Sequence, residues 1–425
     1  SAATALFPVP GAYSAMFPCV SMPQRPQDKE ERMSRLLAHE QSFSLLWIDP
    51  VATITFFEGD HQVVTHAILK QLKLVMAANP WLGARLRIDT NGHPRLAMSI
   101  PHEADIDSAF LDAGDRGIKF GMQYGEMLDA WYDVRLSPAW YAGINDAPLF
   151  RVAVTNAGHG EFAVVMELNH IIGDGDTFYR IYGMLQPGAA VTALNPHRKE
   201  EFTELASSFQ GGFHHTFTPS FQRSVKPLLG AFRLFSRQAP VEPCLLNVDT
   251  AWVAKQKIDM PACSTNDILT SVLLTTSGAR YAVMPVNMRD RIPGVEGNDA
   301  GNYWRPQEIL EEEFCTPLGV RHAVKAGLDR LNSSESDTRR PAMGQVSRTG
   351  VVTNWTAFYQ DLDLPGCTQV AHMPLMFSKQ AAQSYFVIFR PSQGKIAVWC
   401  SVRDAQRMED LKDLPMFAGP VSEAL

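Results

Sequence analysis

The run Asn169-His170-Ile171-Ile172-Gly173-Asp174-Gly175 is the segment of this chain best suited to chemistry. It follows an apolar stretch, Glu161 to Leu168, and precedes Phe178, Ile181, Tyr182 and Leu185 at helical spacing. A histidine at the end of a buried strand sits where the chain leaves the sheet. Its unperturbed pKa is the side-chain value closest to neutral, so it can take a proton from a nucleophile and return it within one cycle. Asp174 can form an ion pair that fixes the turn, and Gly175 allows a backbone conformation or a close approach that a Cβ would block. The plain alternative is a satisfied core histidine. The strand before the string and the helical pattern after it favour a site.

Two hairpins are expected around that strand: Arg85 to Asp89 with Pro94 to Ile100 across Thr90-Asn91-Gly92, and Leu149 to Val154 with Glu161 to Leu168. Gln62 to Ala78 places Val64, Ile68 and Leu72 on one stripe of a helix that Asn79-Pro80 stops. Ser264-Thr265-Asn266-Asp267 reads as a capped helix start before an apolar run to Leu274. Ala282 to Val286 and Val351 to Thr353 read as buried strands, and Tyr385 to Phe389 with Ile396 to Val402 as a last hairpin. The fold class is α/β. Four segments are expected: an extended arm over 1–28, a subdomain over 29–185 carrying the histidine, a crossover over 186–240, and a second subdomain over 241–425.

Composition narrows the function. The 425 residues carry a net charge of −7 with 45% hydrophobic and 20% charged residues, which is an ordinary globular composition. No run of basic residues offers a nucleic-acid footprint, and no apolar segment reaches the ~18 residues of a membrane span. A soluble, cytoplasmic monomer is expected, although a removed leader or transit peptide is compatible with a chain that starts at Ser1. Six cysteines without C-x-x-C spacing argue against a zinc ribbon and a disulfide scaffold. His214-His215 has no carboxylate or thiolate at ligand spacing, so no metal is expected. The absence of G-x-G-x-x-G, Walker and G-x-S-x-G motifs leaves nucleotide cofactors and serine-hydrolase chemistry unsupported.

The string H-x-x-x-D-G, as His170, Asp174 and Gly175, resembles the signature of acyltransferases with the chloramphenicol-acetyltransferase-like fold, which include BAHD acyltransferases and peptide-synthetase condensation domains. Other segments are similar in the same order: Asn79-Pro80-Trp81-Leu82-Gly83-Ala84-Arg85-Leu86, Pro148-Leu149-Phe150-Arg151-Val152, Ser264-Thr265-Asn266-Asp267-Ile268-Leu269, and Pro285-Val286-Asn287-Met288-Arg289-Asp290-Arg291 with Gly301-Asn302. Thr353-Asn354-Trp355 resembles the T-S-W strand of BAHD enzymes. Where their D-F-G-W-G loop belongs, Asp363-Leu364-Pro365-Gly366 stands, keeping only an aspartate and a glycine, as a divergent member would.

The resemblance implies two subdomains with mixed sheets and flanking helices, and an active-site tunnel at their interface. His170 would be the general base, an acceptor hydroxyl or amine would attack the thioester directly without an acyl-enzyme, and acyl-CoA would be a co-substrate rather than a bound cofactor. Thr353 would donate to the oxyanion, although a β-branched residue also simply suits a strand. Trp355 would wall the acceptor pocket, unless it is core. Asp174 would be structural, paired with Arg289 or with Arg291, and Asn287, grouped with Trp355 as substrate-binding, would hold backbone at the subdomain junction. The partners are then a small-molecule acceptor, of specialised metabolism on the BAHD reading, and acyl-CoA. A carrier-protein thioester, as in a condensation-type enzyme, is the second reading, and a non-catalytic binding protein on the same fold the third.

Overall fold

A computed structural model describes residues 32–41, 43–89, 93–98, 103–158, 160–199, 202, 242–329, 348–377 and 384–421. The expected arm over 1–28, His214-His215 and most of the 186–240 crossover lie outside the described residues.

Strands are numbered in chain order. A small antiparallel sheet joins β1 (Arg32–Arg35), β4 (Pro94–Met98) and β3 (Arg85–Ile88), so the first expected hairpin forms. A five-stranded sheet takes the order β12-β2-β7-β6-β5, from β12 (Thr368–Pro374), β2 (Val51–Glu58), β7 (Glu161–Leu168), β6 (Phe150–Gly158) and β5 (Phe110–Asp115). Strand β7 lies in its middle, antiparallel to β2 and β6, and every residue from Phe162 to Leu168 is buried. That explains its almost uninterrupted apolar run.

A seven-stranded sheet forms from the second half in the order β10-β9-β11-β13-β14-β8-β15. Its members are β8 (Cys244–Val248), β9 (Tyr281–Asn287), β10 (Trp304–Leu310), β11 (Thr349–Asn354), β13 (Ser384–Phe389), β14 (Ala397–Val402) and β15 (Phe417–Pro420). Strand β11 runs parallel to β9 and β13 and the other pairs are antiparallel, so the sheet is mixed.

Strand β12 belongs to the second half of the chain yet pairs with β2 of the first, with Met373 opposite Ile54. Apolar residues from both halves accordingly share one core: Ile54, Val164 and Phe178 pack in the same cluster as Trp355, Ala371 and Trp399. A second core fills the space between the seven-stranded sheet and its helices, and a small cluster of Leu37, Phe202, Met288, Ile292, Val295 and Tyr303 brings three distant segments together.

Three helices matter for the site. Helix α1 (His61–Ala78) buries Val64, Ile68, Leu72 and Val75, with Asp60 as its N-cap. Helix α2 (Gly175–Met184) follows the histidine turn. Helix α3 (Thr265–Thr276) starts with a capping box in which Ser264 accepts from the Asp267 backbone and Asp267 accepts from that of Ser264. Among the described residues no helix is long and apolar enough to cross a membrane.

Candidate active site

Where β7 ends, the chain makes a tight turn held by its own polar groups. The Asn169 backbone N–H donates to Leu149 O at 2.7 Å and its carbonyl accepts from Ile172 N at 3.0 Å. Its side chain donates to Ser137 O at 3.0 Å. The half-buried His170 is presented by this turn, immediately before helix α2. Asp174, with extended backbone, caps that helix by accepting from Thr177 N at 3.0 Å.

Close approach is needed at Gly173 rather than Gly175. A Cβ at Gly173 would come within 2.8 Å of Thr177 Cγ2 and 2.9 Å of Leu168 Cδ2. At Gly175 it would meet Phe358 and Trp355 Nε1 at 3.7 and 3.8 Å, which is ordinary contact, and the backbone there is not left-handed. The expectation that a Cβ would be blocked at Gly175 is thus corrected, because the space opens on the side where the aromatic rings stand off.

Arg289, not Arg291, is the partner of Asp174. Its Nη1 donates to Asp174 Oδ2 at 2.8 Å and its Nη2 to Oδ1 at 3.1 Å, a bidentate pair, whereas Arg291 is exposed. Arg289 also donates from Nε to Asp299 O at 2.8 Å and from Nη2 to Gly301 O at 2.9 Å. Tyr303 N adds a bond to Asp174 Oδ2 at 3.1 Å. Burial alone would raise the Asp174 carboxyl, but the charge and hydrogen bonds of Arg289 overcome it and hold the pKa below the ordinary value. Burial likewise works against the charge on Arg289, and Asp174 reverses that, leaving its pKa raised.

The expected junction residue Asn287 does bridge the halves. Its Oδ1 accepts from Arg289 N at 3.1 Å, and its Nδ2 donates to Asp176 Oδ1 on helix α2 at 3.2 Å. Trp355, just beyond β11, is buried with its indole nitrogen beside Gly175 and its ring edge-on to Tyr179 at 6.0 Å. The structure therefore brings His170, Asp174, Gly175, Asn287, Arg289 and Trp355 around one end of helix α2. Thr353 stands two residues before Trp355, half-buried on β11 opposite Val387, and makes no hydrogen bond to those residues.

Sequence reasoning missed the residues behind the imidazole. Asn302, noted only as part of a Gly-Asn pair, lies 132 positions away, with Oδ1 2.9 Å from His170 Nδ1. Its Nδ2 faces acceptors, His170 O at 2.7 Å and Glu40 Oε1 at 3.0 Å. An amide nitrogen facing two acceptors leaves Oδ1 as the acceptor for His170, so Nδ1 carries the proton and the Nε2 lone pair is the basic one. Burial lowers the pKa of His170 below its ordinary value, outweighing a hydrogen bond to its own backbone, Asp174, Asn302 and Glu40, and so favours the neutral ring. Glu40 and its partner Arg198 carry no local signal in sequence. Only Gly301, at φ 141° and with its would-be Cβ 3.0 Å from the Arg198 guanidinium, hints at a crowded junction.

Among the described residues no group of three or more His, Cys, Asp or Glu side chains could hold a metal. A surface cavity lined by Gly59, Asp60, His61 and Glu161 lies at the start of β7, the opposite end from His170, and is separate from this site.

No protein-family model and no curated protein matches the sequence. Solved structures match its fold. TRI101 of F. sporotrichioides, in complex with coenzyme A and T-2, is 15% identical with a TM-score of 0.61, over 90% of this chain and 98% of that one. The first condensation domain of the CDA synthetase is 14% identical with a TM-score of 0.57, over 89% and 93%. Polyketide synthase associated protein 5 from Mycobacterium tuberculosis is 14% identical with a TM-score of 0.58, over 89% and 94%. The two-lobed α/β fold expected from the resemblance is the fold of these proteins.

Proposed function

We propose that this chain, built on the fold of condensation domains and of TRI101, is an acyltransferase that moves an acyl group from acyl-CoA to a hydroxyl or amine of a small molecule. The observation that carries the reading is the orientation of Asn302, which leaves the His170 Nε2 lone pair free at the end of a buried strand. Nε2 takes the proton of the acceptor hydroxyl or amine as its oxygen or nitrogen attacks the thioester carbonyl. The resulting tetrahedral oxyanion collapses, the carbon–sulfur bond breaks, and the departing CoA thiolate takes the proton from the imidazolium. Neither a covalent enzyme intermediate nor a redox partner is required.

Thr353 is assigned the oxyanion, with a hydroxyl that can donate. Trp355 is assigned one wall of the acceptor pocket, beside Gly175. Asp174, Arg289 and Asn287 hold the turn, and all the donors of Arg289 near His170 are occupied by carboxylate, amide, hydroxyl and carbonyl oxygens. The CoA phosphates are therefore met by other cations. The boundaries at 29–185 and 241–425 are kept as the two halves of one catalytic unit, with β12 crossing between them.

His170→Ala is expected to lower thiol release from an acyl-CoA panel with mixed acceptors by about 10²–10⁴-fold, the usual contribution of a general base, with an unchanged melting profile. Full turnover in that variant would refute the mechanism. The likeness to condensation domains supports a second reading in which the donor thioester rides on a carrier protein. Comparing free CoA thioester with carrier-loaded thioester separates the two.

A further inference from the structure

We propose that Glu40 is a positioning residue for His170: it locks the amide of Asn302 in one orientation, and so dictates which imidazole nitrogen is the base. The inference rests on the reading of His170 as the general base and adds a residue 130 positions upstream of it.

Both oxygens of Glu40 act as acceptors. Oε1 takes the Asn302 backbone N–H and Nδ2, each at 3.0 Å, and Oε2 takes Leu37 N and Arg198 Nε, each at 2.8 Å. The carboxylate is fully buried and its ion pair with Arg198 is 5% exposed on the arginine side. Arg198 is itself fixed by donation to Ala300 O at 2.8 Å and Pro196 O at 3.1 Å. Asn302 is held further by its carbonyl, 2.9 Å from His39 Nε2. The apolar cluster of Leu37, Phe202, Met288 and Tyr303 packs segments flanking these groups.

The amide of Asn302 has two ends, and the His170 ring, whose Nδ1 can donate or accept, does not choose between them. Reversal would place Nδ2 against Nδ1 of His170, favouring a proton on Nε2 and removing the basic lone pair. What forbids reversal is Glu40, since Oδ1 would then face a carboxylate oxygen to which Nδ2 now donates, setting acceptor against acceptor. A bond between Nδ2 and the His170 carbonyl adds to the same choice. A carboxylate is suited to this task because it is acceptor-only, whereas a glutamine of the same shape offers one acceptor oxygen and one donor nitrogen. With Arg198 and Leu37 retaining the oxygen, a glutamine would point its NH₂ at Asn302 and reward reversal.

The test is ¹⁵N NMR of the histidine-labelled full chain at pH 7.5, which reports which ring nitrogen carries the proton, alongside steady-state kinetics. In the wild-type protein His170 is expected as the Nδ1–H tautomer. Glu40→Gln is expected to shift it towards Nε2–H. It should also lower kcat at least about 10-fold, with KM changed by less than about threefold, since wrong-tautomer and orienting-partner losses range from about 10-fold to about 10⁴-fold. Its pH–rate profile should move to lower pH, because Glu40 is among the groups that raise the His170 pKa. If the lone charge on Arg198 prevents folding, Glu40→Leu/Arg198→Met removes both charges and the acceptor that holds Asn302 Nδ2, and is expected to lower the share of the Nδ1–H tautomer. A wild-type Nε2–H signal, or an unchanged tautomer in a folded Glu40 variant, would overturn the proposal. A shifted tautomer with undiminished turnover would instead uphold the positioning role and refute His170 as the base.

Discussion

Replacing Asp174 by asparagine leaves an oxygen to cap helix α2 but removes the nearer of two carboxylates facing Arg289, the other being Asp176 with Oδ2 3.5 Å from Nε. The Arg289 side chain is 1% exposed and that of Asp174 8%, so neither charge is relieved by water when the other is removed. Breaking a buried pair of this kind costs about 3–5 kcal/mol. Each of Asp174→Asn and Arg289→Met should therefore lose about 4 kcal/mol. At about 2.1 cal/mol/K per residue for the entropy of unfolding, that loss lowers the melting temperature of a 425-residue chain by about 4–5 °C. The double variant strands no charge and should cost little more than either single one, giving a coupling energy of about 3–4 kcal/mol. Asp174→Ala should lose about 1 kcal/mol beyond Asp174→Asn, the value of the N-cap bond to Thr177. Urea unfolding of the four proteins measures the cycle. Because the folded pKa of Asp174 is depressed, the contribution is present above the unfolded value of 3.8 and disappears only as pH falls through the folded one, so the coupling should be constant from pH 6 to 8. Additive single effects, with a coupling under about 1 kcal/mol, would refute the account of the turn.

Burial drives the pKa of His372 from 6.5 down to about 3, while its ring bridges Thr55 and Tyr179 at 2.9 Å each. The unfolded chain then binds the extra proton, so stability is lost as pH falls below 6.5, at about 1.4 kcal/mol per unit. Between pH 7 and 5 the wild type should lose about 2 kcal/mol more than His372→Gln in urea unfolding, and parallel losses would refute the assignment. Gly173→Ala presses a Cβ into Thr177 and Leu168 and should cost about 1–3 kcal/mol, whereas Gly175→Ala should melt within about 1 °C of wild type. Thr353→Ala should lower kcat by about 10²–10³-fold if its hydroxyl donates to the oxyanion, with little change in KM. The pH dependence of kcat/KM should rise through an apparent pKa below 6.5 and stay flat above it, the sign expected for a base whose charged form is disfavoured by burial.

Much of the scaffold was legible because its signals are local. Helix α1 shows its buried stripe and its Asn79-Pro80 stop, and helix α3 its Ser264 and Asp267 capping pair. Strand β7 shows seven buried residues in a row before the histidine. Strand β12 was not legible, since nothing within Thr368–Pro374 says that it joins a sheet made from residues some 300 positions earlier. Gly175 was misjudged because the string could not show which of its two glycines the neighbouring side chains crowd.

At the site the same division holds. The amino-acid order alone determined that an imidazole would stand at a strand's end with an aspartate in reach of the next helix, because alternation, capping and turn formation act over a few residues. Which arginine answers Asp174, which end of Asn302 faces His170, and that Glu40 and Arg198 stand behind it were decided only by tertiary structure. Those choices depend on acceptors and donors brought within about 3 Å across 26 to 262 positions of chain. A buried polar group must find its partner wherever folding puts one, and no local pattern records where that is.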